Sequence, residues 1–323
     1  MLSVIKNDWY RMKEQRRYLY VALALTICSV ILAVVLTDKL QTHMNLAVVG
    51  DAPRIQGSSM LDITCLKKEP ALSSLIQGRY DAVLTFEKDG QYKIKTVRSD
   101  GFKESLESVI SGKGAGKAAV DSRKIGTNIL GYMLMFLLMQ GVLYARLFTE
   151  DKEKHQIERI VCSPVPFSAY LAGHVVFIWT LIFVPSMLVI TLMHAAGTAV
   201  GFALWQYFLI LALLSLLSTC FAMCLNSFFR AADTANMVGS CIVVLTSVLS
   251  GTFYDCGDAG SLLDRMLYLI PQKNLILFAD AWEKHGLSRS SLTSFFYVIL
   301  CTILFLCIGI GKTRKDYIYH RSR

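Results

Sequence analysis

Hydrophobic positions in this chain come mostly in long unbroken blocks. Residues 18–36, 125–148, 169–193, 204–225, 236–253 and 292–310 are each apolar over a length that can cross a hydrocarbon core of about 30 Å, and they predict six transmembrane helices. Between the first two blocks the pattern changes to short runs separated by turn residues. Residues 45–49 read as a strand, 71–77 as a short helix, 80–86 and 91–97 as a hairpin turning at Asp89-Gly90, and 102–110 as a second helix. Ahead of the first block, Leu2, Ile5, Trp9 and Met12 recur at helical spacing opposite Lys6, Lys13 and Arg17, so residues 1–17 predict an amphipathic helix in the headgroup layer. After the fifth block, residues 262–270 and 275–282 are apolar but individually too short to span, and Pro271 stands between them. They predict a re-entrant hairpin over 254–285, entered through Gly251 and Phe253 and broken at Pro271, with these three residues as gate positions. The expected fold class is thus an α-helical polytopic membrane protein: six transmembrane helices, an α/β domain at 37–124 between the first and second, and a re-entrant hairpin before the last.

Composition agrees. With 323 residues, 54% hydrophobic, 18% charged and a mean hydropathy of +0.47, the chain is too apolar for an ordinary soluble fold of its size. The net charge of +9 gathers beside the apolar blocks, so it argues for topology and against nucleic acid as a partner. Lys6, Arg11, Lys13, Arg16 and Arg17 precede the first block, and Lys312, Arg314, Lys315, Arg321 and Arg323 follow the last. Residues 194–202 contain no Lys or Arg, whereas the next turn contains Arg230. The positive-inside rule then places both termini, the basic tail at 312–323 and the loop at 149–168 in the cytoplasm, with 37–124 outside. The first block lacks a small-residue cleavage site after it and reads as a retained anchor, giving a multi-pass protein of the inner or plasma membrane.

Candidate chemistry is sparse. Residues 111–119 (SGKGAGKAA) fail as a phosphate-binding loop, because Ser111 stands where the first glycine belongs and Ala118 where a Ser or Thr would hold magnesium. No HExxH, GxSxG or paired intramembrane carboxylate occurs, and the nine cysteines contain no CxxC pair. No catalytic residue, metal site or bound cofactor is therefore expected. Cys65 and Cys256 fall on the outer side, and their pairing is left open. His174 and His194 have no acidic partner visible in the sequence, and each reads as a side chain hydrogen-bonding a neighbouring helix.

The most specific segment is the loop 150–165, EDKEKHQIERIVCSPV, held at the membrane surface between two spans. A compact charged helix there is suited to receive force from a soluble partner; the alternative is a solvated loop that only sets topology. The loop resembles the signature of type-2 ABC transporter permeases. Asp151, Lys152 and Glu153 match its charged run, Ile157 and Glu158 its apolar-acidic pair, and Ser163, Pro164 and Val165 its end. His155 and Gln156 replace the usual Gly-Thr. SGTFY at 250–254 and Leu269-Ile270-Pro271 resemble the family's outer re-entrant region, and the domain after the first span resembles that of exporter-like members.

The resemblance implies a permease subunit that pairs with a second copy or a paralogue and with separate ATP-binding cassette ATPase subunits, which would bind the ATP and Mg. It implies that Glu150, Asp151, Lys152, Glu153, Ile157, Glu158, Arg159, Ile160 and Pro164 couple to the ATPase. The charges would make rim salt bridges, and Ile157, Ile160 and Val161 would enter a cleft. Met135, Gly239 and Thr246 are expected to line a pathway or a dimer contact, with simple helix packing as the alternative. The rival function is a membrane sensor whose external domain binds a ligand and whose charged loop contacts an effector.

Overall fold

A computed structural model describes residues 2–14, 16, 20, 21, 23–28, 31, 44–49, 61–66, 82–86, 92–96, 125–164, 166–198, 201–250, 267–286 and 289–319. The chain divides into two compact units. One comprises Met1–Ala33, Lys124–Cys256 and Arg265–Arg323, the other Val34–Arg123 and Gly257–Asp264.

The smaller unit holds a four-stranded sheet of β1 (Met44–Val49), β2 (Leu61–Leu66), β3 (Ala82–Phe86) and β4 (Tyr92–Lys95), in the order β2-β1-β3-β4. β1 pairs in parallel with both β2 and β3, and β3 and β4 form the predicted antiparallel hairpin. The apolar residues of β1 and β3 make the core, with Ala47 and Val83 buried and Val49 and Leu66 packed on them. β2 was not predicted: LDITCL is followed by two lysines and pairs through a non-local register that local pattern does not reveal. The predicted helices at 71–77 and 102–110 lie outside the described residues.

The larger unit is helical. It begins with α1 (Leu2–Glu14), then contains α2 (Ile125–Tyr144), α3 (Arg146–Glu153), α4 (Gln156–Val161), α5 (Phe167–Ala195), α6 (Leu204–Phe228), α7 (Ala232–Leu249), α8 (Pro271–His285) and α9 (Arg289–Arg314), and a π-helical turn follows at Lys315–Tyr319. Among the described residues, five helical stretches are long and apolar enough to cross a membrane: Ile125–Glu153, Phe167–Ala195, Leu204–Phe228, Ala232–Leu249 and Ser291–Tyr317. Of the first predicted span, residues 20, 21, 23–28 and 31 are described and all are helical. Thr26 there is buried and accepts a hydrogen bond from Gln140 of α2 at 2.8 Å.

α2 is apolar on every side and largely buried, packed by α5, α6, α7 and α8, with one face, including Asn128, Met135, Phe136 and Met139, left half-buried. α9 closes on α6 and α8 and leaves Phe296, Leu300, Ile303, Leu304 and Ile308 exposed, a face that suits lipid. Two predicted boundaries need correction. The second span was expected to end at Phe148 before a loop, but the chain stays helical through Glu153, because every charge in 150–153 finds a partner. In α1 only part of the expected apolar stripe is docked: Met12 is buried, together with Asp8, and Ile5 half-buried, while Trp9 is 53% exposed.

Candidate functional site

The charged loop folds as two short helices meeting at His155. α3 ends there because His155 adopts φ 52°, ψ 27°, the left-handed conformation in which the Cβ of an ordinary residue is strained. Glycine fits such a position best, which accounts for the glycine that the type-2 permease signature carries at this step. His155 Nδ1 lies 3.0 Å from Glu158 Oε1, which holds the turn. α4 ends where Pro164 and Pro166 exclude a continuing helix, and Ser163 Oγ donates to Ile160 O at 2.7 Å. α4 packs on α3 and on the turn at Lys315–Tyr319.

Around α3, each charged side chain reaches a different element. Asp151 accepts from Arg11 of α1 at 2.5 Å and from the Tyr170 hydroxyl of α5 at 2.7 Å. Lys152 Nζ donates to the carbonyls of Asn226, Ser227 and Phe229 at 2.6, 2.9 and 3.2 Å, capping the C-terminus of α6. Glu153 Oε1 accepts from the Ala232 N–H at 2.7 Å, at the N-terminus of α7. Thr149 donates to Asn226 Oδ1 at 2.5 Å, and Arg146 bridges Glu150 at 3.0 Å and Asp233 at 2.9 Å.

A buried ionic cluster lies beside this helix. His174 of α5, expected to lack an acidic partner, stands between two carboxylates: Nδ1 is 2.9 Å from Asp8 and Nε2 is 3.3 Å from Asp151, close enough for ion pairing though off the hydrogen-bond axis. Both partners are far from it in sequence, which is why local reading missed them. Arg11 adds contacts to Glu150 at 3.2 Å and Asp8 at 3.9 Å. Burial works against the Arg11 charge, but Asp151, Asp8 and Glu150 outweigh it and hold the guanidinium's pKa above its ordinary value. A cavity of about 210 Å³ opens beside the cluster, lined by residues including Asp8, Asp151, Gln156, Ile160, Tyr170 and His174. Among the described residues no group of three or more His, Cys, Asp or Glu is arranged to hold a metal ion.

The family model for ABC-2 family transporter proteins matches residues 116–310, more than half the chain; the match takes in α2 to α8 and most of α9, and leaves out α1 with Asp8 and Arg11. The chain belongs to the ABC-2 transporter family. A search of curated proteins finds no match to it. Family membership identifies it as a multi-pass membrane permease of ABC transporters and implies an ABC ATPase as partner.

Within this ABC-2 permease the sequence-predicted coupling residues separate into two sets. Glu150, Asp151 and Lys152 are buried, and Ile157 is fully buried inside the chain, so none of the four presents surface for a partner. Glu158, Arg159 and Pro164 are exposed, as are Lys154 and His155, while Ile160 is half-buried. Glu153 is exposed overall but has its carboxylate on α7. Of the residues in this cluster, the sequence reading left out Asp8 and Tyr170, took Arg11 as a charge that sets topology, and took His174 as a side chain hydrogen-bonding a neighbouring helix. The two short-range signals were a carboxylate on an amphipathic face and a histidine in an apolar span.

The opposite end of the bundle is built around α8. Pro271 is its first residue, where the missing N–H breaks no helical bond, and the turn before it is held by Asn274 Nδ2 donating to Tyr268 O at 2.6 Å. Pro271 thus starts one helix; the expected first half of the hairpin, with Gly251 and Phe253, lies outside the described residues save a turn at 267–270. Glu283 of α8 caps α2, accepting from the N–H groups of Gly126 and Thr127 at 2.9 and 2.7 Å and from the Thr127 hydroxyl at 2.7 Å. Gly201, at φ +82°, lets the α5–α6 loop lie against this cap, since a Cβ there would fall 2.5 Å from Gly126 N. Of the expected pathway residues, Gly239 is a packing position: a Cβ would lie 2.6 Å from Val142 and 3.0 Å from Leu225. Thr246 accepts from Gln272 of α8 at 3.0 Å, and Met135 is half-buried on α2.

Proposed function

We propose that this ABC-2 permease is the membrane subunit of an ATP-driven exporter, pairing with a second copy or a paralogue and with a separate ATPase that holds the ATP and Mg. The ATPase docks on the exposed face of α4 and the turn before it, through Lys154, His155, Glu158, Arg159 and Pro164. One observation carries this reading: the short surface helix α4 is exposed on one side, while the segment behind it is bonded to α1, α5, α6 and α7. A loop that only set topology would need no such anchorage. The excess of Lys and Arg at this end supports a cytoplasmic orientation, with the sheet domain outside. Exposed apolar residues on α7, among them Met237 and Leu245, offer surface to lipid and to a second subunit.

The test is charge reversal on α4. Glu158→Arg combined with Arg159→Glu leaves the permease in the membrane and removes the ATPase from the purified complex, because rim charges govern docking. Undiminished recovery of ATP hydrolysis with this variant contradicts the assignment.

A further inference from the structure

We propose that Asp8, Asp151 and His174 form a proton-binding site, and that the proton it holds fastens α1 to α3 and α5. The proposal stands apart from the docking reading above. The imidazole of His174 is fully buried and has a carboxylate at each nitrogen: Asp8 Oδ2 of α1 lies 2.9 Å from Nδ1, and Asp151 Oδ2 of α3 lies 3.3 Å from Nε2. No other polar group of the described residues is hydrogen-bonded to either nitrogen. The rings of Tyr170 and Phe148 stand edge-on to the imidazole, with centroids 4.7 and 5.9 Å away, and keep it facing both carboxylates.

A neutral imidazole has one N–H and one lone pair, so it serves one carboxylate as a donor and turns a lone pair towards the other. One further proton removes that conflict, whether it rests on the ring or on Asp8, and the three groups titrate as a unit. Counting charges gives the same answer. Asp8 and Asp151 bring two negative charges, and Arg11 of α1, bonded to Asp151 and 3.9 Å from Asp8, returns one. Glu150, 3.2 Å from Arg11, has Arg146 and Lys154 of its own at 3.0 and 3.5 Å. The Tyr170 hydroxyl of α5 is already spent as a donor to Asp151 Oδ2 at 2.7 Å. One negative charge is thus left over where the Asp8 side chain is only 1% exposed, and a buried charge without a partner is strongly disfavoured. A single proton balances it. The cavity of about 210 Å³ beside the cluster, lined also by Asn7, Gln156 and Ser163, gives that proton a way in. Because Asp8 belongs to α1 and its closest cation is His174, loss of the proton falls on the attachment of α1.

The experiment follows amide hydrogen exchange over residues 5–13 of the full chain in lipid nanodiscs from about pH 6 to about pH 9, with each rate divided by the intrinsic exchange rate at that pH. Release of one proton changes the opening equilibrium of α1 by at most about tenfold per pH unit. In the wild type, protection of α1 falls by about tenfold or more across the range, while α6 keeps its protection. Asp8→Asn needs no added proton, since Arg11 still balances Asp151, and it holds α1 within about twofold from one end of the range to the other. His174→Lys sets a fixed positive charge in the proton's place and gives the same flat profile, so it decides the matter should Asp8→Asn fail to fold. A flat wild-type profile, a fall that α6 shares, or a fall of wild-type size in either folded variant overturns the proposal.

Discussion

Asp151→Asn tests the buried cluster where it is most concentrated. The Asp151 carboxylate is 3% exposed and faces Arg11, Tyr170 and His174 together. Removing one partner of a buried charge network costs about 3–5 kcal/mol, because the remaining charges stay desolvated. Asparagine keeps one acceptor, and Arg11 retains Glu150 at 3.2 Å, so the lower figure of about 3 kcal/mol applies. The loss falls on the contacts of α1 with α3, through Arg11 and Asp151, and with α5, through Asp8 and His174. At 1.36 kcal/mol per tenfold, α1 should open on the order of 100-fold more often. Amide hydrogen exchange over residues 5–13, in detergent or nanodiscs, reads this directly. The comparison is Lys154→Ala, whose ion pair with Glu150 at 3.5 Å is more than half exposed on the lysine side and worth under about 1 kcal/mol. Exchange in α1 that changes by less than twofold in Asp151→Asn would refute the cluster as the anchor of α1.

Other substitutions separate the remaining contacts. Glu283→Ala uncaps α2 and should cost about 2–3 kcal/mol, seen as a lower melting temperature that Glu283→Gln partly recovers. His155→Val places a β-branched residue at a left-handed position and should cost about 1–2 kcal/mol, whereas His155→Gly melts at or above the wild type. Pro271→Ala should cost under about 1 kcal/mol, since Pro271 occupies a helix start, and Asn274→Ala should cost more because it frees the Tyr268 carbonyl; thermal denaturation of both ranks them.

Much of the fold was legible because lipid imposes long apolar runs and short-range signals mark turns. Five of the six predicted blocks coincide with helical stretches able to span a membrane, and the hairpin of β3 and β4 was marked by Asp89-Gly90. The charged loop was located from its place between two such blocks. Its inner logic was not legible: whether Lys152 faces a soluble partner or the carbonyls of Asn226, Ser227 and Phe229 depends on tertiary packing across more than seventy residues. The same holds for His174, whose partner Asp8 sits on a helix that the pattern of apolar residues assigned to the headgroup layer. The departure from the family signature at His155 and Gln156 left the start of the helix undetermined; in the structure His155 is the left-handed residue that separates the buried run from the exposed helix.

The central claim is that the exposed face of α4 receives an ABC ATPase, and site-specific photocrosslinking from Arg159 in intact membranes tests it most directly. With a photoreactive residue at Arg159, and the same residue at the outward-facing Phe296 as the comparison, mass spectrometry identifies what each position touches. The account predicts that Arg159 captures a protein bearing nucleotide-binding motifs of the ABC type, while Phe296 captures lipid or a second permease subunit. Capture at Arg159 of lipid alone, or of a kinase or regulator with no ABC ATPase, would contradict it.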